Sequence, residues 1–146
     1  MRPDRLGVEG LPLRLLVTAA VLALTLPAVA GALASHDLRR TEERVRGEAL
    51  RVLGLAARLD LAGGGRASLT VDLRDGAVTG VRFLRFANAG AAGMAAYELR
   101  GQPERVVALP DPSPPWRFDS GADLILTPGL HEVLLEHQAD GVRITA

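Results

Sequence analysis

The sequence predicts an α+β protein, with a long N-terminal helix followed by a small antiparallel β-sheet or β-sandwich packed on the helix's second half. Three observations predict this fold. Residues 15–34 are apolar and uncharged, residues 36–61 repeat apolar side chains at helical spacing, and residues 67–146 alternate apolar and polar side chains between turn signals. The length of 146 residues suits a single domain.

The uncharged stretch at residues 15–34 reads LLVTAAVLALTLPAVAGALA. As a helix rising about 1.5 Å per residue it extends roughly 30 Å, which matches the hydrocarbon core of a bilayer. Three interpretations stay open: a retained membrane anchor, a signal peptide cleaved near Ala30 or Ala34, and a prepilin-type helix whose polar leader, residues 1–10, is cleaved between Gly10 and Leu11. In the first and third interpretations residues 11–34 form a transmembrane or assembly helix, here called the assembly helix. Its large apolar side chains and its proline are Leu15, Leu16, Val17, Val21, Leu22, Leu24, Leu26, Pro27, Val29 and Leu33.

Residues 35–62 are predicted to continue the same helix in amphipathic form. Four apolar residues recur every seven positions and three more widen the stripe, so one face can pack on a sheet. These positions, here called the core seam, are Leu38, Val45, Ala49, Val52, Leu53, Ala56 and Leu59. The run Gly63-Gly64-Gly65 is expected to end the helix, whereas Pro27 is tolerated because a membrane helix bends at proline rather than ending there.

The β region, residues 67–146, is predicted to hold about seven short strands. Asp75-Gly76 is expected to form a hairpin turn between the first two strands, and Asp140-Gly141 between the last two. The proline-rich loop at residues 110–115 is expected to deliver Trp116 and Phe118 to the core. The predicted strands lie near residues 67–74, 77–86, 94–100, 105–109, 123–127, 130–138 and 142–145.

Composition argues against several kinds of chemistry. Seventeen basic residues balance seventeen acidic ones, so no broad basic surface for nucleic acid is expected. The chain lacks cysteine, which excludes disulfides and thiolate sites, and it lacks lysine, which excludes a Schiff base or a phosphate-loop lysine.

The segment that contains His131, Glu132, Glu136 and His137 does not have the spacing of the HExxH zinc motif, and on one strand the two histidines lie roughly 20 Å apart. No GxSxG nucleophile motif occurs either. We therefore expect no enzymatic activity, no cofactor, no metal and no small-molecule substrate.

Three features make up the whole-chain plan: the leader end Val8-Glu9-Gly10, the apolar helix at residues 11–34 and the C-terminal β module with the segment PGLHEVLLEH. This plan resembles type IV pilin-like proteins, especially archaeal pilins and archaellins. Many bacterial pilins carry Glu five residues into the mature chain, where this sequence has Leu15. The resemblance implies a structural subunit of a cell-surface filament, with the β domain outside the cell. Its implied partners are the lipid bilayer and other copies of itself or other pilin-like subunits. The alternative is a membrane-anchored or secreted β-sandwich binding module without a filament role.

Overall fold

A computed structural model describes residues 6–86, 93–110, 118, 123–139 and 141–146, with side chains from residue 12 onward. The chain divides into two compact units, Met1–His36 and Asp37–Ala146. The predicted α+β class is confirmed. One long N-terminal helix precedes two small antiparallel sheets, which pack against the second half of that helix.

Helix α1 comprises Leu6–Ala62 and contains Pro12 and Pro27. It begins before the predicted start at residue 11, so the backbone of Gly10 and Leu11 is helical, and the described part of the predicted leader, residues 6–10, continues into the apolar stretch. The helix ends where the glycine run predicts. Gly63 adopts a left-handed φ of 64°, and its N–H donates to the carbonyl of Asp60 at 3.0 Å.

Within the residues that the structure describes, seven strands follow the helix in two sheets. In the first, the order is β1-β6-β7, and in the second it is β4-β3-β2-β5, with every neighbouring pair of strands antiparallel. The strands are β1 (Arg66–Asp72), β2 (Val81–Phe86), β3 (Met94–Leu99), β4 (Arg105–Ala108), β5 (Leu124–Leu126), β6 (Leu130–Gln138) and β7 (Gly141–Thr145).

The predicted hairpin at Asp75-Gly76 is wrong. Strand β1 pairs with β6 in one sheet, whereas β2 pairs with β3 and β5 in the other, so residues 73–80 cross between sheets. The physical reason is that the backbone N–H groups of Ala77, Val78 and Thr79 bind a side chain of the helix instead of a neighbouring strand. The β6–β7 pair is antiparallel, and Gln138 lies opposite Gly141.

The hydrophobic core of the unit Asp37–Ala146 lies between the core seam and the two sheets. Five seam residues are fully buried, and Leu38 and Leu59 pack against the core in partly buried positions. The fully buried ones are Val45, Ala49, Val52, Leu53 and Ala56. Phe118 is buried and meets Phe86 edge to face, with ring centroids 5.8 Å apart. Residues 111–115 of the predicted loop at residues 110–115, and Trp116, lie outside the described residues.

Candidate functional site

The unit Met1–His36 contains the segment predicted as an assembly helix. The large apolar side chains described in it, from Leu13 to Leu33, are exposed, from 49% for Leu22 to 79% for Leu24. Soluble proteins rarely leave so long a contiguous apolar surface uncovered, because each such side chain gains roughly 1.5–3 kcal/mol by leaving water. Of the helices described, α1 has the length and composition needed to cross a membrane. This surface therefore fits lipid or other apolar helices.

The hydroxyl groups within the apolar stretch bind the helix's own backbone. Thr18 Oγ1 donates to the carbonyl of Arg14, and Thr25 Oγ1 to the carbonyl of Val21, each at 2.9 Å. A hydroxyl without a partner is costly in hydrocarbon, where no water replaces the lost bond. These two threonines are thus compatible with lipid contact along the segment.

In the unit Asp37–Ala146, the first residue carries a carboxylate that accepts three backbone N–H groups. Oδ1 of Asp37 accepts the N–H of Ala77 at 2.9 Å, and Oδ2 accepts those of Val78 and Thr79 at 2.9 and 2.7 Å. We call this arrangement the Asp37 clamp. The bonds from Val78, Thr79 and Ala77 stabilise the ionised form and lower the pKa of Asp37 to about 2. The clamp fastens the loop between the two sheets to helix α1.

Close packing around the clamp depends on Gly76. A Cβ atom at this position would lie 2.7 and 2.8 Å from the two Asp37 oxygens and would also collide with Oγ1 of buried Thr41. The loop folds on itself as well, since the N–H of Gly76 donates to the carbonyl of Thr79 at 2.8 Å. Oδ1 of Asp75 accepts the N–H of Val81 at 2.7 Å, which ends the loop where β2 begins.

A cavity of about 350 Å³ lies beside the clamp, and we call it the clamp cavity. Its wall contains both acidic and basic side chains from α1 and from the loop. Its lining residues are Asp37, Arg40, Thr41, Arg44, Asp75, Gly76 and Ala77.

A second polar cluster ties β3 and β4 to the helix. The hydroxyl of buried Tyr97 donates to Glu42 Oε1 at 3.2 Å, and Arg105 donates to the same oxygen. Burial raises the pKa of Tyr97, and the negative charge of Glu42 raises it further. A cavity of about 300 Å³ adjoins the cluster and also touches Arg46. Because Glu42 already has two partners, the cluster fits a structural connection between the helix and the second sheet.

The two histidines that the sequence draws attention to lie apart on β6. His131 Nε2 is 2.7 Å from the carbonyl oxygen of Thr127, and His137 Nε2 is 4.0 Å from Asp60 Oδ1. Glu136 forms a 3.2 Å ion pair with Arg66 across the strands. Among the residues that the structure describes, no three His, Asp or Glu side chains are grouped so as to hold a metal ion.

Sequence reasoning missed the Asp37 clamp. Asp37 reads as one more charge on an amphipathic helix, and its partners lie 40 to 42 positions away. The glycine of the Asp75-Gly76 pair was the available signal, but a turn alone explains it.

Comparison of the chain with protein-family models, with curated proteins and with solved structures gives no match in any of the three. Function is therefore inferred from the chain's own chemistry.

Proposed function

We propose that this chain is a membrane-anchored, type IV pilin-like structural subunit of a cell-surface filament. The observation that carries the proposal is the exposed, uncharged surface of the assembly helix, which belongs to the same helix as the buried core seam. One element thus supplies both the apolar segment and the support of the β domain. This supports a role in which anchoring and display depend on each other.

Filament assembly follows from the same surface. An apolar helix is stable in lipid as a monomer, and exchanging lipid for neighbouring helices costs little because both surroundings are apolar. Repeated head-to-tail contacts then produce an open helical polymer. In this proposal the β domain forms the outer surface of the filament, outside the cell, and the partners are the bilayer and further pilin-like subunits.

The alternative is a β module that the helix merely tethers to the membrane. The observation that favours it is the helical backbone through Gly10 and Leu11, because α1 continues from residues 6–10 into the apolar stretch, as expected of an uncut anchor. Such an anchor would stay uncut. It would also require no association between copies.

Disulfide cross-linking distinguishes the two functions, because the natural chain contains no cysteine. We would express full-length Leu22→Cys and Val29→Cys variants in the native host and oxidise intact membranes and sheared filaments. The matched control is Leu130→Cys, an apolar position on β6 that is at least as exposed as the two helix positions. The filament proposal predicts cross-linked dimers through the helix positions, whereas monomers in a carbonate-resistant membrane fraction would favour the tether.

A charge in the helix gives a second test. Arg near the middle of a membrane span costs about 2.5–3.5 kcal/mol of insertion free energy. Val21→Arg should therefore abolish assembly while the β domain stays folded, and Leu130→Arg should leave assembly intact. Unchanged filaments in the Val21→Arg strain would contradict the proposal.

A further inference from the structure

The clamp cavity is lined by side chains of both charges, and these side chains differ in how many hydrogen-bond partners they already have. Both oxygens of Asp37 accept backbone N–H groups. Asp75 accepts the N–H of Val81 through Oδ1, and its Oδ2 has no hydrogen-bond partner among the described residues. Asp75 is exposed and lines the cavity. One carboxylate oxygen is therefore available to a ligand.

The two arginines of the cavity also retain hydrogen-bonding capacity. Arg40 is exposed and forms no ion pair with any described residue. Arg44 donates to the carbonyl of Arg74, but its buried Nε has no partner within the described part of the chain. Guanidinium groups match the oxygens of a phosphate in geometry as well as in charge.

The cavity lies close to the apolar segment along the chain. Arg40 follows Ala34 by six residues in the sequence. The headgroup layer on each side of the hydrocarbon core is roughly 5–8 Å thick. If residues 15–34 span the membrane, as in the function proposed above, Arg40 lies within reach of lipid headgroups.

We propose that the clamp cavity binds the zwitterionic phosphoethanolamine headgroup of a membrane lipid, and this inference rests on the proposed membrane insertion. The phosphate is bound by Arg40 and Arg44, and the primary ammonium donates to Asp75. A purely anionic headgroup would place its charge beside two carboxylates, and a lone cation would face two guanidinium groups. A zwitterion satisfies both, and a volume of about 350 Å³ is at the small end of ligand pockets.

Native mass spectrometry of the full chain in detergent tests the site. The chain is mixed with equal amounts of phosphatidylethanolamine, phosphatidylglycerol and phosphatidylcholine, and lipid retention is compared. Loss of one charge-assisted hydrogen bond corresponds to roughly tenfold in affinity, so we expect phosphatidylethanolamine to be retained about tenfold better than the other two. Phosphatidylcholine is the informative comparison because its quaternary ammonium cannot donate a hydrogen bond.

Variants identify the residues. Arg40→Gln and Asp75→Asn should each remove the preference, and Asn keeps an oxygen that can accept the Val81 N–H. Arg39→Gln is the matched control, because Arg39 is adjacent and exposed but does not line the clamp cavity. Hydrogen exchange of residues 75–81 verifies that each variant keeps the loop folded.

Each outcome decides between the two proposals. Equal retention of the three lipids by a chain that inserts into vesicles, or stronger retention of phosphatidylglycerol, overturns the headgroup site and leaves membrane insertion standing. If the chain binds water-soluble phosphoethanolamine but does not retain the lipid, the claim that the ligand is a membrane lipid is overturned. A chain that carbonate washing removes from vesicles overturns both the site and the proposed function.

Discussion

Oδ2 of Asp37 accepts the backbone N–H of Thr79 at 2.7 Å, across 42 positions of sequence. This bond joins the first residue of the unit Asp37–Ala146 to the loop that crosses between its two sheets. The N–H groups of Ala77 and Val78 bind the same carboxylate. One ionised side chain of α1 therefore binds three consecutive backbone N–H groups of the crossing.

The clamp predicts how stability varies with acid. The pKa of Asp37 is about 2 in the folded chain against an ordinary value of 3.8, so the unfolded chain takes up the proton at higher pH. The contribution of Asp37 is present above about pH 4 and is lost as the pH falls toward 2. Chemical denaturation of the full chain in detergent, repeated across this range, should show a falling midpoint.

Asp37→Asn should flatten that acid dependence and lower the midpoint at neutral pH, because the Asn amide group would face a backbone N–H donor. Asp72 has a pKa of about 2 as well, caused by Arg74, so part of the slope should remain. Hydrogen exchange should become faster at residues 77–79 in the variant. Unchanged exchange there would contradict the assigned role of the clamp.

Gly76→Ala should destabilise the unit by about 1–3 kcal/mol, because its Cβ would overlap atoms that cannot move freely: Asp37 is held by three bonds and Thr41 is buried. The matched control is Gly47→Ala within α1, where a Cβ meets nothing within 4 Å. That substitution should stabilise the chain by about 0.5–1 kcal/mol. Equal effects at the two glycines would refute the close approach.

The contrast between helix and crossing loop shows which features were predictable. The end of α1 at the glycine run and the bounds of β6 follow from periodicity and local turn chemistry, and the structure has both. The prediction of a hairpin at Asp75-Gly76 was wrong because a local sequence pattern cannot reveal that Asp37 binds the loop. The alternation of β1 indicates which of its residues face the core, but it does not specify which strand β1 pairs with. In β2 a register irregularity between Val81 and Phe83 interrupts the alternation, so the buried residues are Val81, Leu84 and Phe86.

Leu53→Ala in the core seam should cost about 2–5 kcal/mol, because the removed atoms leave a cavity between helix and sheets. Leu61→Ala, at an exposed position of the same helix, should change the free energy of unfolding by no more than about 0.5 kcal/mol. Equilibrium denaturation followed by near-ultraviolet circular dichroism measures both. A small cost at Leu53 would indicate that the sheets do not pack on the seam.

Tyr97 is the single tyrosine of the chain, so phenolate absorbance reports its titration alone. Its pKa should exceed the ordinary 10.0 because of burial and of Glu42. Glu42→Gln should lower the pKa toward 10, and Arg105→Gln should raise it, since the Arg105 charge opposes the shift. If neither substitution changes the pKa of Tyr97, the assigned cluster of Tyr97, Glu42 and Arg105 between the second sheet and the helix is contradicted.

The candidate site divides in the same way as the fold. The apolar segment was predictable because hydrophobicity over a bilayer-length stretch is a local property of the sequence. The Asp37 clamp and the Tyr97–Glu42 contact were not predictable, because each joins residues at least 40 positions apart in the sequence. These residues meet only when the loop and the sheet pack on the helix.

The most direct test of the central claim is the intact mass of the mature protein from the membrane and filament fractions of its native host. A prepilin-like subunit predicts a chain that begins at Leu11 and retains the whole assembly helix. A mature chain that begins after Ala30 or Ala34, recovered outside the membrane, would contradict membrane anchoring and the filament role together.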